Sequence, residues 1–261
     1  MFVWGKCMAI IALRAWYLEE YQPIWEVMKR PHDLRLSKNS LLKSGLRADF
    51  LDERKTVEEA TWFQRYLEGE TVEFYIEGSG GYQIANIDVV SQEIYFVKQE
   101  VSALLEPIIY FSYQQDCVEA YNALQEAFEQ VIEDFNRQAR VSLSLEYSAR
   151  PKDDPVRLSR SQLRKIRKSL VFVADGTPVA KVPGENRSTL LPSPTVGIEL
   201  GYALQCKRRE QLLLTQMERW DGNYPFELPN PQQLSFQSGT DLKATLPQAL
   251  EVMLQRFNLW H

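Results

Sequence analysis

The chain has 261 residues, 44% of them apolar and 25% charged, the balance of an ordinary globular protein able to bury one or two cores. Its formal net charge of −5 argues against a dedicated nucleic-acid binder, which needs a basic face to neutralise phosphates. Three dispersed cysteines (Cys7, Cys117 and Cys206) and two histidines (His32 and His261) argue against a disulfide framework, a zinc site and a histidine-based triad. Chemistry is left to carboxylates, tyrosines and arginines.

The opening apolar run is short and interrupted by Lys6 and Arg14, and no small-residue cleavage site follows it. It reads as neither a bilayer span nor a signal peptide, so a cytoplasmic chain without a membrane partner is expected. Helices are expected over 10–30, bent at Pro23, over 39–53 and over 56–68, where Trp62, Phe63 and Tyr66 would pack on neighbouring strands. Residues 71–77 then alternate as a half-buried strand, Gly78 to Gly81 form a hairpin connection, and 83–90 and 93–99 read as further strands. Residues 1–104 are thus expected to be a small α+β region.

From residue 105 the rhythm becomes strand, helix, strand, helix. A strand over 107–113 precedes an amphipathic helix over 116–138, with Asp116 as candidate N-cap. Strands follow at 141–147, 170–176, 210–216 and 233–236, with a basic helix over 158–169, a helix opening at Pro194, and a closing helix over 241–257. Arg157, Arg160, Arg164, Lys165, Arg167 and Lys168 of the basic helix read as a solvated face. This alternation predicts an α/β domain, 105–261, with a parallel sheet covered by helices on both faces. Ligands of such sheets bind beyond the carboxyl ends of the strands. The sequence holds neither a GxGxxG fingerprint nor a P-loop.

The most sharply shaped segment is "LLPSPTVGIELGYAL", residues 190–204. Ser193 is a candidate cap and Pro194 suits the first helical position. Glu199 lies too far inside for the dipole or a capping box to explain it. On a helical wheel it falls about 40° from Ala203, at the edge of the stripe formed by Val196, Leu200, Ala203 and Leu204, a rim from which a carboxylate can look into a cleft. Gly197 and Gly201 flank it and are expected to leave room for a ligand.

With its lead-in "LVFVADGT" and the later "YPFEL", this segment resembles the superfamily of TIR-like and nucleoside 2-deoxyribosyltransferase-like domains, over roughly residues 107–260. The resemblance implies a flavodoxin-like fold and chemistry at an N-glycosidic bond of a nucleoside, a nucleotide or NAD. It makes Glu199 the candidate nucleophile or ribose-binding carboxylate and Asp175 its polar partner. Tyr110, Ser112 and Tyr113 fall where a base or ribose would be held, and Ser193 and Tyr202 lie within the motif as further substrate-binding candidates. A carboxylate suits an oxocarbenium-like transition state. No cofactor and no metal are implied, NAD entering as a substrate, and a homo-oligomer is compatible with the resemblance. The segment from Thr177 to Leu191 departs from the family as a longer link, a lid or decoration. The exit of the second strand, residues 148–157, carries no recognised substrate signature, and the loop from Trp220 to Phe226 reads as turn-rich with aromatic anchors. Two functions stay open: an enzyme acting at an N-glycosidic bond, and a non-catalytic nucleotide-sensing or interaction module on the same fold.

Overall fold

The computed structural model describes residues 12–37, 40–42, 45–150, 158–184, 187–224 and 232–260. The chain divides into two compact units, Met1–Leu104 and Leu105–His261, each with its own sheet.

The first unit is built from β1 (Ala12–Tyr17), α1 (Ile24–Val27), β2 (Leu34–Ser37), β3 (Ser40–Leu42), β4 (Gly45–Asp49), α2 (Arg54–Glu58), α3 (Thr61–Leu67), β5 (Glu73–Ile76), β6 (Gly80–Asp88) and β7 (Glu93–Lys98). Its strands form one antiparallel sheet in the order β2-β1-β5-β6-β7-β4-β3. A bridge between Leu36 and Phe50, and the Leu51 N–H donated to Arg35 O at 2.8 Å, bring β2 against the end of β4. The sheet therefore curls around a core that includes Leu36, Leu46, Ala48, Phe74 and Phe96. Trp62 and Phe63 of α3 close that core, the indole meeting Phe74 edge-on at 5.2 Å.

Two expectations for this unit fail, and a third holds in part: the helix over 56–68 is broken at Glu59 and Ala60 into α2 and α3. Of the helix over 10–30 only the four residues of α1 are helical, after Pro23; Ala12–Tyr17 is a strand hydrogen-bonded on both sides, to β2 and β5. The helix over 39–53 is replaced by β3 and β4. There Leu46, Ala48 and Phe50 point inward while Arg47 is exposed, a period of two that decides against a helix. The hairpin at Gly78 and Gly80 forms as expected, and both glycines adopt positive φ, 70° and 111°.

The second unit contains β8 (Glu106–Ser112), α4 (Val118–Asn136), β9 (Ser144–Tyr147), α5 (Arg160–Lys168), β10 (Ser169–Asp175), β11 (Pro178–Val182), β12 (Thr189–Pro192), α6 (Pro194–Cys206), β13 (Leu212–Met217), β14 (Gln232–Phe236) and α7 (Gly239–Gln255). Five strands form a parallel sheet in the order β9-β8-β10-β13-β14, the flavodoxin-like order, with α4 and α7 packed together on one face and α5 and α6 on the other. β10 is buried along its whole length, as a central strand covered on both faces must be. The pleat sorts the core: Tyr110, Phe172, Ala174 and Leu214 meet Ile166, Val196, Leu200 and Ala203, while Phe111 faces Phe128 of α4, ring centroids 5.2 Å apart.

Local details differ from expectation. Asp116 does not cap α4; Cys117 holds that position and donates its N–H to Gln114 Oε1 at 2.7 Å. The segment after Thr177 is not a bare loop but contains the antiparallel hairpin β11–β12, residues 185 and 186 lying outside the described residues. No helix among the described residues is long and apolar enough to cross a membrane. Because Phe128 is wholly buried, Phe128→Ala should lower the unfolding free energy of the second unit by about 3–5 kcal/mol in urea denaturation. A loss below about 1 kcal/mol would place the core elsewhere.

Candidate functional site

The topological switch point of the sheet lies between β8 and β10, whose neighbours extend in opposite directions. α6 opens beside it. Ser193 is the N-cap residue and Pro194 takes the first turn, but the Ser193 hydroxyl is 3.0 Å from Thr195 Oγ1 and bonds no backbone N–H. The helix buries Val196, Glu199, Leu200 and Ala203. Glu199 is therefore not at a rim. It sits on the buried face with no exposure, because Val196 and Ala203, one turn before and after it, set that face against β8 and β10.

Four donors meet the two oxygens of Glu199. Ser112 Oγ donates to Oε2 at 2.5 Å, and Gln162 Nε2 donates to Oε1 at 2.5 Å. Arg150 completes the set as a fork, Nη1 to Oε1 and Nη2 to Oε2, each 3.0 Å. Its side chain is only 6% exposed. The guanidinium is itself held, Nε donating to Tyr113 O at 2.9 Å and Nη1 to Ala149 O at 3.1 Å, and it lies 5.2 Å over the Tyr113 ring.

Each partner owes its place to a local rule. Ser112 ends β8 on the same pleat as Tyr110, facing α5 and α6. Gln162 and Ile166 are four apart on α5 and form its buried face, the helix being capped by Ser159 Oγ, which accepts the Gln162 N–H. Exposed Arg160, Arg164 and Arg167 point away, as a solvated face should; Lys165 pairs with Glu146 and Lys168 with Glu106, and Arg157 lies outside the described residues.

The other anticipated residues divide. Tyr110 is buried and stacked on Phe172, and its hydroxyl is held well above the usual range, chiefly by burial and then by the charge of Glu199. Tyr113 lies under Arg150 and packs on Tyr121; burial raises it too. Tyr202 is half-buried against the cluster around Leu200. Gly197 and Gly201 are each about 160° around the helix from Glu199 and meet open space, so the room they leave is on the other side of α6.

Asp175 does not share the partner set of Glu199. Ala174 faces α6, so the pleat turns the next residue, Asp175, toward the α4 and α7 face. There Oδ1 accepts the Thr177 N–H at 3.0 Å. Gln114 lies near, yet among the described residues neither its Nε2 nor Asp175 Oδ2 has a hydrogen-bond partner of good geometry. Burial pushes the Asp175 carboxyl up to about 6, partly opposed by Thr177 and Gln114. Tyr224, which donates to Gly176 O at 2.5 Å, feels the charge of Asp175 and lines an open cleft of about 980 Å³ with Leu190, Leu214, Gln216, Arg219 and Trp220. Glu199 and its donors do not line that cleft. In the same region Pro225 and Phe226 lie outside the described residues. Among the described residues no three His, Cys, Asp or Glu side chains gather as a metal site.

No family model matches the chain, and no curated protein matches it. Among solved structures it is similar to that of the CMP N-glycosidase BcmB of Clostridium botulinum, at 15% identity over 54% of this chain and 98% of that one, with a TM-score of 0.31.

Arg150 and Gln162 were missing from the sequence expectations. Gln162 left a signal, a polar residue on the inward stripe of a charged helix; Arg150 left none.

Two outcomes follow for stability. Arg150→Leu leaves a buried carboxylate without its counter-ion and should cost about 3–5 kcal/mol, whereas Arg150→Leu with Glu199→Leu should recover most of that loss in denaturant titrations. Folded Asp175 binds its proton at a higher pH than the unfolded group, near 3.8, so its contribution is lost as pH rises from about 4 through about 6. The stability of Asp175→Asn relative to wild type should therefore move in favour of Asn by about 3 kcal/mol between pH 3.5 and 7.5. A difference independent of pH would contradict the shift.

Proposed function

We propose that residues 105–261 bind a nucleoside or nucleotide at the switch point and act on its N-glycosidic bond, with Glu199 as the reacting carboxylate. The observation that supports this most is the burial of an Arg150–Glu199 pair where this fold receives its ligands. Replacing such a pair by apolar residues is often neutral or stabilising, so stability alone is a poor reason to keep it. A carboxylate there supplies what the reaction needs. The bond from the anomeric carbon to the base nitrogen breaks, its electron pair leaves with the base, and the oxocarbenium-like carbon is met by Glu199. Water or an acceptor then completes hydrolysis or transfer. Ser112 and Gln162 orient the carboxylate, and the Tyr110 ring walls the site.

One observation favours a second reading, a ligand-sensing or interaction module without catalysis. Both oxygens of Glu199 are engaged, and the residue has no exposure.

Incubation of the purified chain with NAD, nucleosides and nucleotides, with released base followed chromatographically, separates the two. Glu199→Gln leaves the buried Arg150 without its anion and so costs stability. Compared at a temperature where circular dichroism shows wild type and variant both folded, it should under the first reading lower base release by about 10³-fold or more, because an amide is a poor nucleophile. Full turnover by Glu199→Gln would sink the catalytic assignment. Stabilisation by a ligand without turnover in the wild type would support the second reading.

A further inference from the structure

We infer that Arg150 is the phosphate receptor of this site, so that its ligand is a phosphate-bearing nucleotide rather than a neutral nucleoside; this rests on the reading of Glu199 given above. The two outer nitrogens of Arg150 form a fork that carboxylate and phosphate fit equally, both as bidentate partners. The rest of the guanidinium is tied to backbone, Nε to Tyr113 O and Nη1 also to Ala149 O, which keeps the fork in place whichever anion it holds.

A second observation points to the same spot. Ser148 is 2% exposed, and its Oγ has no hydrogen-bond partner among the described residues. Tyr147 pairs in register with Phe111 and packs on its ring, and the Ser148 N–H is donated to Phe111 O. The pleat therefore turns Ser148 to the face on which Ser112 meets Glu199. A buried hydroxyl without a partner costs stability unless something arrives to accept from it. An anion seated on Arg150 would do so.

The exchange also resolves how a saturated carboxylate comes to react. Glu199 must give up Arg150 to present a lone pair, and a buried guanidinium left without an anion is costly. A neutral nucleoside offers no replacement. A phosphate does: it takes the fork, the Ser148 hydroxyl donates to it, and Glu199 keeps Ser112 and Gln162 while its freed edge turns to the sugar.

The test compares matched pairs, AMP with adenosine and CMP with cytidine, and inorganic phosphate alone, by titration calorimetry and thermal shift on the full chain. Base release is followed in parallel. The monophosphates should bind at least 10-fold more tightly than their nucleosides, Ser148→Ala should reduce that preference, and Arg150→Gln with Glu199→Gln should abolish it. The double variant removes both buried charges together and so avoids an unpaired one; if circular dichroism shows it unfolded, the wild-type and Ser148→Ala comparison decides alone. Equal affinity for nucleoside and nucleotide would overturn the phosphate assignment and leave the N-glycosidic reading intact. A preference that survives the double variant would overturn it too, as would inorganic phosphate stabilising the wild type as strongly as the nucleotides do. If no nucleoside or nucleotide binds and no base is released, the reading of Glu199 falls and this inference with it.

Discussion

The forked pairing of Arg150 with Glu199 is the constraint around which the second unit is arranged. Four segments converge on one carboxylate: the end of β8 through Ser112, the exit of β9 through Arg150, α5 through Gln162, and α6, which carries Glu199 itself. A carboxylate with no exposure is tolerable only with such a donor set, because desolvation costs several kcal/mol per ion and the attraction repays it only when the geometry is good. Removing any one donor leaves a polar group stranded in the interior. The pair therefore fixes the relative positions of elements that the apolar core, being non-directional, would allow to slide.

The parallel topology explains why this convergence occurs where it does. Strands β8 and β10 run side by side and end together, Ser112 opposite Ala174. Their following connections then part to opposite faces, β8 leading to α4 and β10 toward α6. The pleat distributes the polar ends of the strands between the two faces. Ser112 goes to the α6 side, with Glu199; Asp175 goes to the α4 and α7 side, near Gln114. Two carboxylates that look like partners in the sequence are in this way given different surroundings. One has four donors, while the other has the Thr177 N–H on one oxygen and, among the described residues, nothing well placed on the other.

Much of the second unit was legible because its signals are strong and local. A central parallel strand must be apolar throughout, and 170–174 is; a helix covering a sheet must show a 3.6-residue stripe, and 118–135 does. The first unit was harder to read. Its strands are short, and over 10–30 the aromatic and aliphatic residues cluster without clear alternation, so the pairing of β1 with β2 and β5 decided a conformation that local pattern did not. At the site, Ser112 and Glu199 were readable, one closing an apolar strand and the other lying among small residues. Arg150 was not, because it lies past the end of a short strand, in no periodic element, and its role arises only from tertiary closure on Glu199; Gln162 left the faint signal of a polar residue on an inward helical stripe, but not its partner. Gln162 also sits among basic residues that draw attention to the exposed side of its helix. The burial of Glu199 itself was not legible, for a related reason. A helical wheel gives its angle from the apolar stripe but not how far neighbouring elements wrap around that edge, and here α5 and the exit of β9 close over it.

Which part of this site would move most readily follows from what its parts are attached to. Arg150 is stacked on Tyr113 and bonded through Nε and Nη1 to two backbone carbonyls, so swinging the arginine out would break contacts besides those to Glu199. Glu199 is attached through a flexible side chain to a helix whose buried face is otherwise apolar and small. It can rotate about its own side-chain bonds with Ser112 and Gln162 as remaining donors. The less costly motion is thus of the carboxylate away from a fixed guanidinium, not of the guanidinium away from the carboxylate. The geometry is that of a cation tied to backbone and an anion on a flexible side chain, so that under the proposed exchange the replacing anion would decide when the carboxylate is released. Under the proposed reading, catalysis and mere binding would differ in one respect: whether a released Glu199 reaches the anomeric carbon or only relaxes against its two neutral donors.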